Sequence, residues 1–188
     1  MSLFRRWFGY DPEEFCREGL SALDRRDFEV AAKAFQSCAE SSDREATIRL
    51  ARFHLAECHA QMAGASYRAA EYEKARENID ASLTFAKPTA ERHLLAAQIS
   101  RRLNDRQGAA HQLDCVLLQI PGHEEALALR ALEWYEEGHV DKALATAEAL
   151  PRHDSRLLRF QEAHERGDRT AAVAHLSAVA TGYATNLV

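Results

Sequence analysis

Apolar residues in this chain return at steps of three and four almost from end to end, the spacing that lines side chains along one face of a helix. Ile48, Ala51, Leu55, Cys58 and Met62 keep that rhythm without a break, which predicts a long helix from about Arg44 to Gly64. A slower rhythm lies on top of it. Small residues in similar settings, Ala31 in "FEVAAKAF", Ala75 in "YEKARENI", Ala109 in "RQGAAHQL", Ala143 in "VDKALATA" and Ala172 in "DRTAAVAHL", are separated by 44, 34, 34 and 29 positions. Twelve residues before the first four stand Gly19, Ala63, Ala97 and Ala131; four residues after all five come Phe35, Ile79, Leu113, Ala147 and Leu176. A small residue on each of two successive helices lets the pair close tightly, and the residue a turn later, bulky in all but Ala147, lies on the same face. Self-similarity at such a period predicts helix pairs stacked into an array, each dependent on its neighbours for its core.

The punctuation agrees. In "DPEE", Asp11 is an N-cap, Pro12 fits the first helical position, and Glu13 and Glu14 sit by the positive helix end. Ser42 and Glu45 in "SDRE" have the spacing of a capping box. Gly138 and Gly167, five residues ahead of their markers, suit helix ends. "KPT", "IPGH" and "LPRHD" break the chain between later units.

On these residues the chain resembles the tetratricopeptide-repeat family, whose unit is a 34-residue helix–turn–helix. The best-matched segments are Asp11 to about Glu45, with Gly19, Phe28, Ala31 and Phe35, and roughly Thr89 to Gly122, with Ala97, Ala109 and Pro121; 124–151, with Ala131, Gly138 and Ala143, matches well too. Departures are visible. Phe15 is the nearest match to the family's first-helix aromatics, His59, His93 and Leu127 stand at the corresponding sites, and Phe160 replaces a small residue in the last unit. The resemblance implies an all-α, right-handed α-α solenoid of about five such units over residues 11–181, between an N-terminal amphipathic segment (1–10) and a short tail (182–188).

Composition narrows the chemistry. Eight Gly and four Pro among 188 residues, with 46% apolar residues, suit a folded helical protein. A net charge of −5 with interspersed signs offers no phosphate-binding face, so nucleic acid is not an expected partner. Cys16, Cys38, Cys58 and Cys115 are far apart, lack CxxC spacing and lie in apolar helical patterns, which reads as reduced core thiols in the cytoplasm. No run of about 18 apolar residues is present to span a bilayer. Catalytic motifs are missing: no Gly-rich phosphate loop, no HExxH and no GxSxG. His54 and Cys58 share a helix face, but two ligands do not make a metal site, and a buried Cys beside a half-buried His is the plainer reading. No enzyme activity and no cofactor are expected.

In solenoids of this family the first helix of each unit lines a concave binding surface. The resemblance places there Glu13, Cys16, Leu20 and Leu23; Glu57, Ala60, Tyr67 and Arg68; Glu91, Leu94, Gln98, Arg101 and Arg102; and Glu125, Ala128, Leu132, Tyr135 and Glu136. Tyr and Arg dominate many interfaces, which singles out Tyr67, Arg101, Arg102 and Tyr135. The expected function is a non-catalytic scaffold that holds a peptide or helix of another protein. The basic and amide pattern with which chaperone-linked members hold a C-terminal carboxylate is not reproduced, since Cys16, Leu20, Ala60 and Gly64 occupy much of that surface.

The opening "SLFRRWFG" is a separate signal. As a helix it would gather Leu3, Phe4, Trp7 and Phe8 on one face with Arg5 and Arg6 beside it. Three uses fit: a cap folded back on the first helix, contact with the inner face of an anionic membrane, or docking into a groove on another copy. The alternative reading is therefore a membrane-associated or self-assembling factor, which deletion of residues 2–9 would separate from a pure groove binder.

Overall fold

The computed structural model describes residues 11–151 and 154–184, and among them it forms ten helices and no strand. They are α1 (Pro12–Asp24), α2 (Phe28–Ser41), α3 (Glu45–Arg68), α4 (Tyr72–Phe85), α5 (Ala90–Arg102), α6 (Arg106–Gln119), α7 (Glu124–Glu136), α8 (Val140–Glu148), α9 (Ser155–Glu165) and α10 (Arg169–Ala184). The chain divides into two compact units, meeting at Leu103 and Asn104.

The turn inside each helix pair is built one way. Arg26, Ala70, Asn104, Gly138 and Gly167 have φ of 58°, 59°, 59°, 87° and 74°, and each stands five residues before its small marker residue. The left-handed residue turns the backbone so that its own N–H and the one after it cap the preceding helix. Arg26 N–H donates to Leu23 O and Asp27 N–H to Ala22 O; the same pair of bonds recurs at Ala70, Gly138 and Gly167. Only two of the five turns announce themselves with glycine. Asp27, Asp105 and Asp168 then cap the helix that follows.

In the first unit, α2 packs against α1 and α3, and α4 against α3 and α5. Ala31, Ala63 and Ala75 have no exposed surface, and a Cβ built on Gly19 would lie 2.8 Å from the Phe35 ring, so the small-residue pattern marks the close approaches. One apolar cluster joins Ala22, Phe35, Cys38, Ala51, Leu55 and Cys58; a second joins Ala63, Ala75, Ile79, Ala96 and Ile99. The Ser82 hydroxyl, fully buried, donates to Ala56 O at 2.6 Å and ties α4 to α3.

Two expectations need correction here. Cys16 and Cys38 are joined in a disulfide between α1 and α2, with Cα atoms 5.6 Å apart, a separation well suited to the bond. Four reduced thiols is therefore wrong, and the inference of a cytoplasmic location loses that support. The capping box at Ser42 does not form either. Ser42 ends α2, its hydroxyl accepts from Arg44 N–H, and α3 starts at Glu45 with Arg44 at the N-cap and no side-chain cap bond. The Asp11 cap does form, accepting from Glu13 N–H at 2.9 Å. The long helix runs as predicted and continues one turn further, to Arg68.

In the second unit α7 is packed against α6, α8 and α10, which leaves ten of its thirteen residues buried. The fifth pair keeps the helix–turn–helix form but docks by its second helix. Arg169, at the start of α10, donates to the carbonyls of Tyr135 and Glu136 at the end of α7. At the other end of α10 Tyr183 lies in the field of Glu124, where α7 begins, so the two helices are antiparallel. Phe160, Ala172, Leu176 and Val179 are fully buried in this layer.

Candidate functional site

The sequence-predicted contact residues fall into three groups. Leu94, Leu132 and Tyr135 are 7%, 2% and 4% exposed, so they belong to the core and not to a contact surface. Tyr135 shows why: its ring meets Phe160 edge-on at 5.3 Å and its hydroxyl is 3.2 Å from His164 Nδ1, so the α9–α10 hairpin occupies the space a partner would need. Glu136, half-buried, lends its carbonyl to Arg169. Gln98 and Arg101 are half-buried. Leu3, Phe4, Arg5, Arg6, Trp7 and Phe8 lie outside the described residues.

The remaining residues share the first unit. Arg102 Nε donates to the Tyr67 hydroxyl at 3.4 Å, and its guanidinium lies over the rings of Tyr67 and Tyr72 at 6.0 and 5.8 Å. The two rings meet at 60° with centroids 5.7 Å apart, a rigid aromatic corner that holds an exposed cation. Hydrogen bonding to Tyr67, with the field of both tyrosines, pushes the Arg102 guanidinium above its ordinary range. Arg68 is exposed at the end of α3, and Leu20 and Leu23 lie on α1, the former 45% exposed.

Glu57 has a role that sequence reasoning did not foresee. Its carboxylate takes a hydrogen bond of 3.2 Å from Arg92 Nη2, whose side chain is 95% buried and lies 6.0 Å from the Phe53 ring. Arg92 Nη1 is buried without a hydrogen-bond partner among the described residues, which makes Glu57 the main compensation for a desolvated charge. Two further residues were missed altogether. Leu50 and Phe53 are 53% and 50% exposed, and with Glu57, Gly64 and Arg68 they follow the steps of three, four, seven and four that keep a helix face in line. The pattern carries that signal, since both residues fall on the side of the helix away from the buried stripe of Ala51, Leu55 and Cys58.

His54 and Cys58 are both built into the apolar cluster. His54 stacks on Phe35 at 4.9 Å, and burial holds its pKa below the ordinary 6.5 against the opposing field of Glu57. Burial, with Glu57 adding to it, pushes the Cys58 thiol up to about 11, so it is neither nucleophile nor ready ligand at neutral pH. In the second unit the buried polar centre is Arg130, which makes two bonds to Asp114 (2.9 and 3.4 Å) and lies 3.8 Å from the Trp134 ring, over which Lys142 Nζ also stands at 4.3 Å. That cluster locks α6, α7 and α8 together.

No family model matches the chain, and no curated protein sequence matches it either. Solved structures do. It is similar to the MamA protein over 92% of this chain and 91% of that one, at 15% identity and a TM-score of 0.54. YrrB, described as a TPR protein with an unusual peptide-binding site, is similar over 95% and 89%, at 14% identity and a TM-score of 0.57. A tetratricopeptide repeat protein from Parabacteroides merdae ATCC 43184 is similar over 91% of this chain and 66% of that one, at 14% identity and a TM-score of 0.56. At such identities the likeness establishes the fold.

Proposed function

We propose that this chain, whose helix pairs have the tetratricopeptide-repeat fold, is a non-catalytic interaction module that holds a peptide or helix of another protein on the α1–α3–α5 face of its first unit. The observation that carries the reading is the row of exposed side chains along α3, apolar at Leu50 and Phe53 and polar at Arg68, with the Tyr67–Arg102 corner beside it. Such a row puts large apolar surface in water for no gain in folding, and a protein partner recovers it. A fold neighbour described as peptide-binding is consistent with this use. Among the described residues no helix is long and apolar enough to cross a membrane, and no group of three metal-ligating side chains comes together.

Site-specific photocrosslinking in the native host tests the reading. A photoreactive phenylalanine analogue at Phe53 or Tyr67 is expected to give discrete protein adducts, while the same analogue at exposed Lys33 on α2 gives none. Adducts formed equally at Lys33, or at no groove position, overturn it.

A further inference from the structure

The ten residues inserted between the first two markers give α3 its additional N-terminal turns, and Leu50 and Phe53 sit on them. Glu13 on α1 pairs with Arg44, just before α3, at 3.0 Å, which brings the starts of these two parallel helices together. Leu20 is seven residues on from Glu13 and Leu50 six on from Arg44, so at about 1.5 Å per residue they stand at nearly the same height. Leu20 on α1 thus stands level with Leu50 and about one turn below Phe53 on α3, which puts three half-exposed apolar side chains toward one end of the face, an apolar ledge. At the other end, fifteen residues or roughly 22 Å along α3 from Phe53, stands Arg68, with Arg102 held on its tyrosines.

The carboxylates named on this face have cations of their own: Glu13, below the ledge, pairs with Arg44, and Glu57, between the two ends, pairs with Arg92, whereas Arg68 and Arg102 have no carboxylate partner among the described residues. We infer that the face takes a bipartite segment of a partner protein: aliphatic or aromatic side chains on the Leu20–Leu50–Phe53 ledge and, about 22 Å away, carboxylates on Arg68 and Arg102. This rests on the reading of the face as a binding surface and adds the chemistry and the direction of the ligand. The chain's own residues 2–9 fit less well, because they offer aromatics and Arg5 and Arg6 but no carboxylate.

The test is a selection of random 16-residue peptides displayed on phage against the full-length protein. Winning peptides are then measured by fluorescence anisotropy on the wild type, L50S/F53S, R68E/R102E and a form lacking residues 2–9. All four mutated positions are exposed, and circular dichroism checks that helix content is kept. Winners with apolar residues toward one end and Asp or Glu toward the other, and affinity at least tenfold weaker on each double variant, are the expected result. Winners without acids, or affinity indifferent to R68E/R102E but lost in L50S/F53S, overturn the bipartite ligand and leave the binding face standing. Winners indifferent to both double variants overturn the face itself. A tenfold gain on deleting residues 2–9 assigns the ledge to the chain's own segment and overturns the inference.

Discussion

Replacing Ala70 by glycine should stabilise the protein. Ala70 holds φ at 59° in the turn between α3 and α4, a conformation that costs an L-residue about 1–2 kcal/mol because its Cβ crowds the following carbonyl. Glycine escapes that cost but loses more freedom on folding, about 0.5–1 kcal/mol. The net gain is therefore about 0.7 kcal/mol, and no packing is lost because the Ala70 side chain is exposed. For a chain of this size that is a rise in melting temperature of about 1.5–3 °C, with a matching shift of the urea midpoint. Arg26→Gly should move the same way, and Gly138→Ala, at φ 87°, should reverse it by a similar amount. If Ala70→Gly instead lowers stability as an ordinary helix-interior glycine does, the turn does not use the left-handed conformation and the common construction of the five turns is wrong.

Three other outcomes follow from the first unit. Gly19→Ala forces a methyl to within 2.8 Å of the Phe35 ring and should cost about 1–3 kcal/mol by denaturant titration, more than any exposed-face alanine on α1. Reducing the Cys16–Cys38 bond, or the Cys16→Ser variant, should lower stability by about 3 kcal/mol, given a separation of 22 residues, and a midpoint unmoved by reductant would show that the bond does not form in solution. His54 has a folded pKa below 6.5, so as pH falls below that value the unfolded chain takes up a proton that the folded chain refuses. Its contribution is thus full above 6.5 and declines below; urea midpoints at about pH 7.5 and about pH 5.5 should differ less in His54→Gln than in the wild type.

The repeat was legible because close helix contacts demand small residues, and Gly19, Ala63, Ala97 and Ala131 with their five partners obey that demand in the structure. Two of the five turns were legible for the same kind of reason, through glycine. Arg26 and Ala70 were not, since their residue type gives no hint of a left-handed φ; Asn104 is of a type that visits that region, a weaker signal than glycine. The disulfide was invisible because no local spacing records which helix faces which; Cys16 and Cys38 meet only once α1 and α2 are in register. Tyr135 misled in the opposite direction. Its type suits an interface, but α9 and α10 reach it first, and a sequence pattern names the face of a helix without naming its neighbour. Leu50 and Phe53 are legible in the pattern, since apolar residues on the side of a helix away from its buried Ala51–Leu55–Cys58 stripe have no core of their own to enter.

The bond between Cys16 and Cys38 also has a mechanical meaning. Stacked helix pairs yield to tension one after another, and each normally pays out its whole contour length as it opens. A chain pulled from its N-terminus would find the first pair clipped across 22 residues, so about 75 Å of extension stays locked until the sulfurs are reduced. The first pair is then a short, stiff link, and a reductant is what turns it into slack.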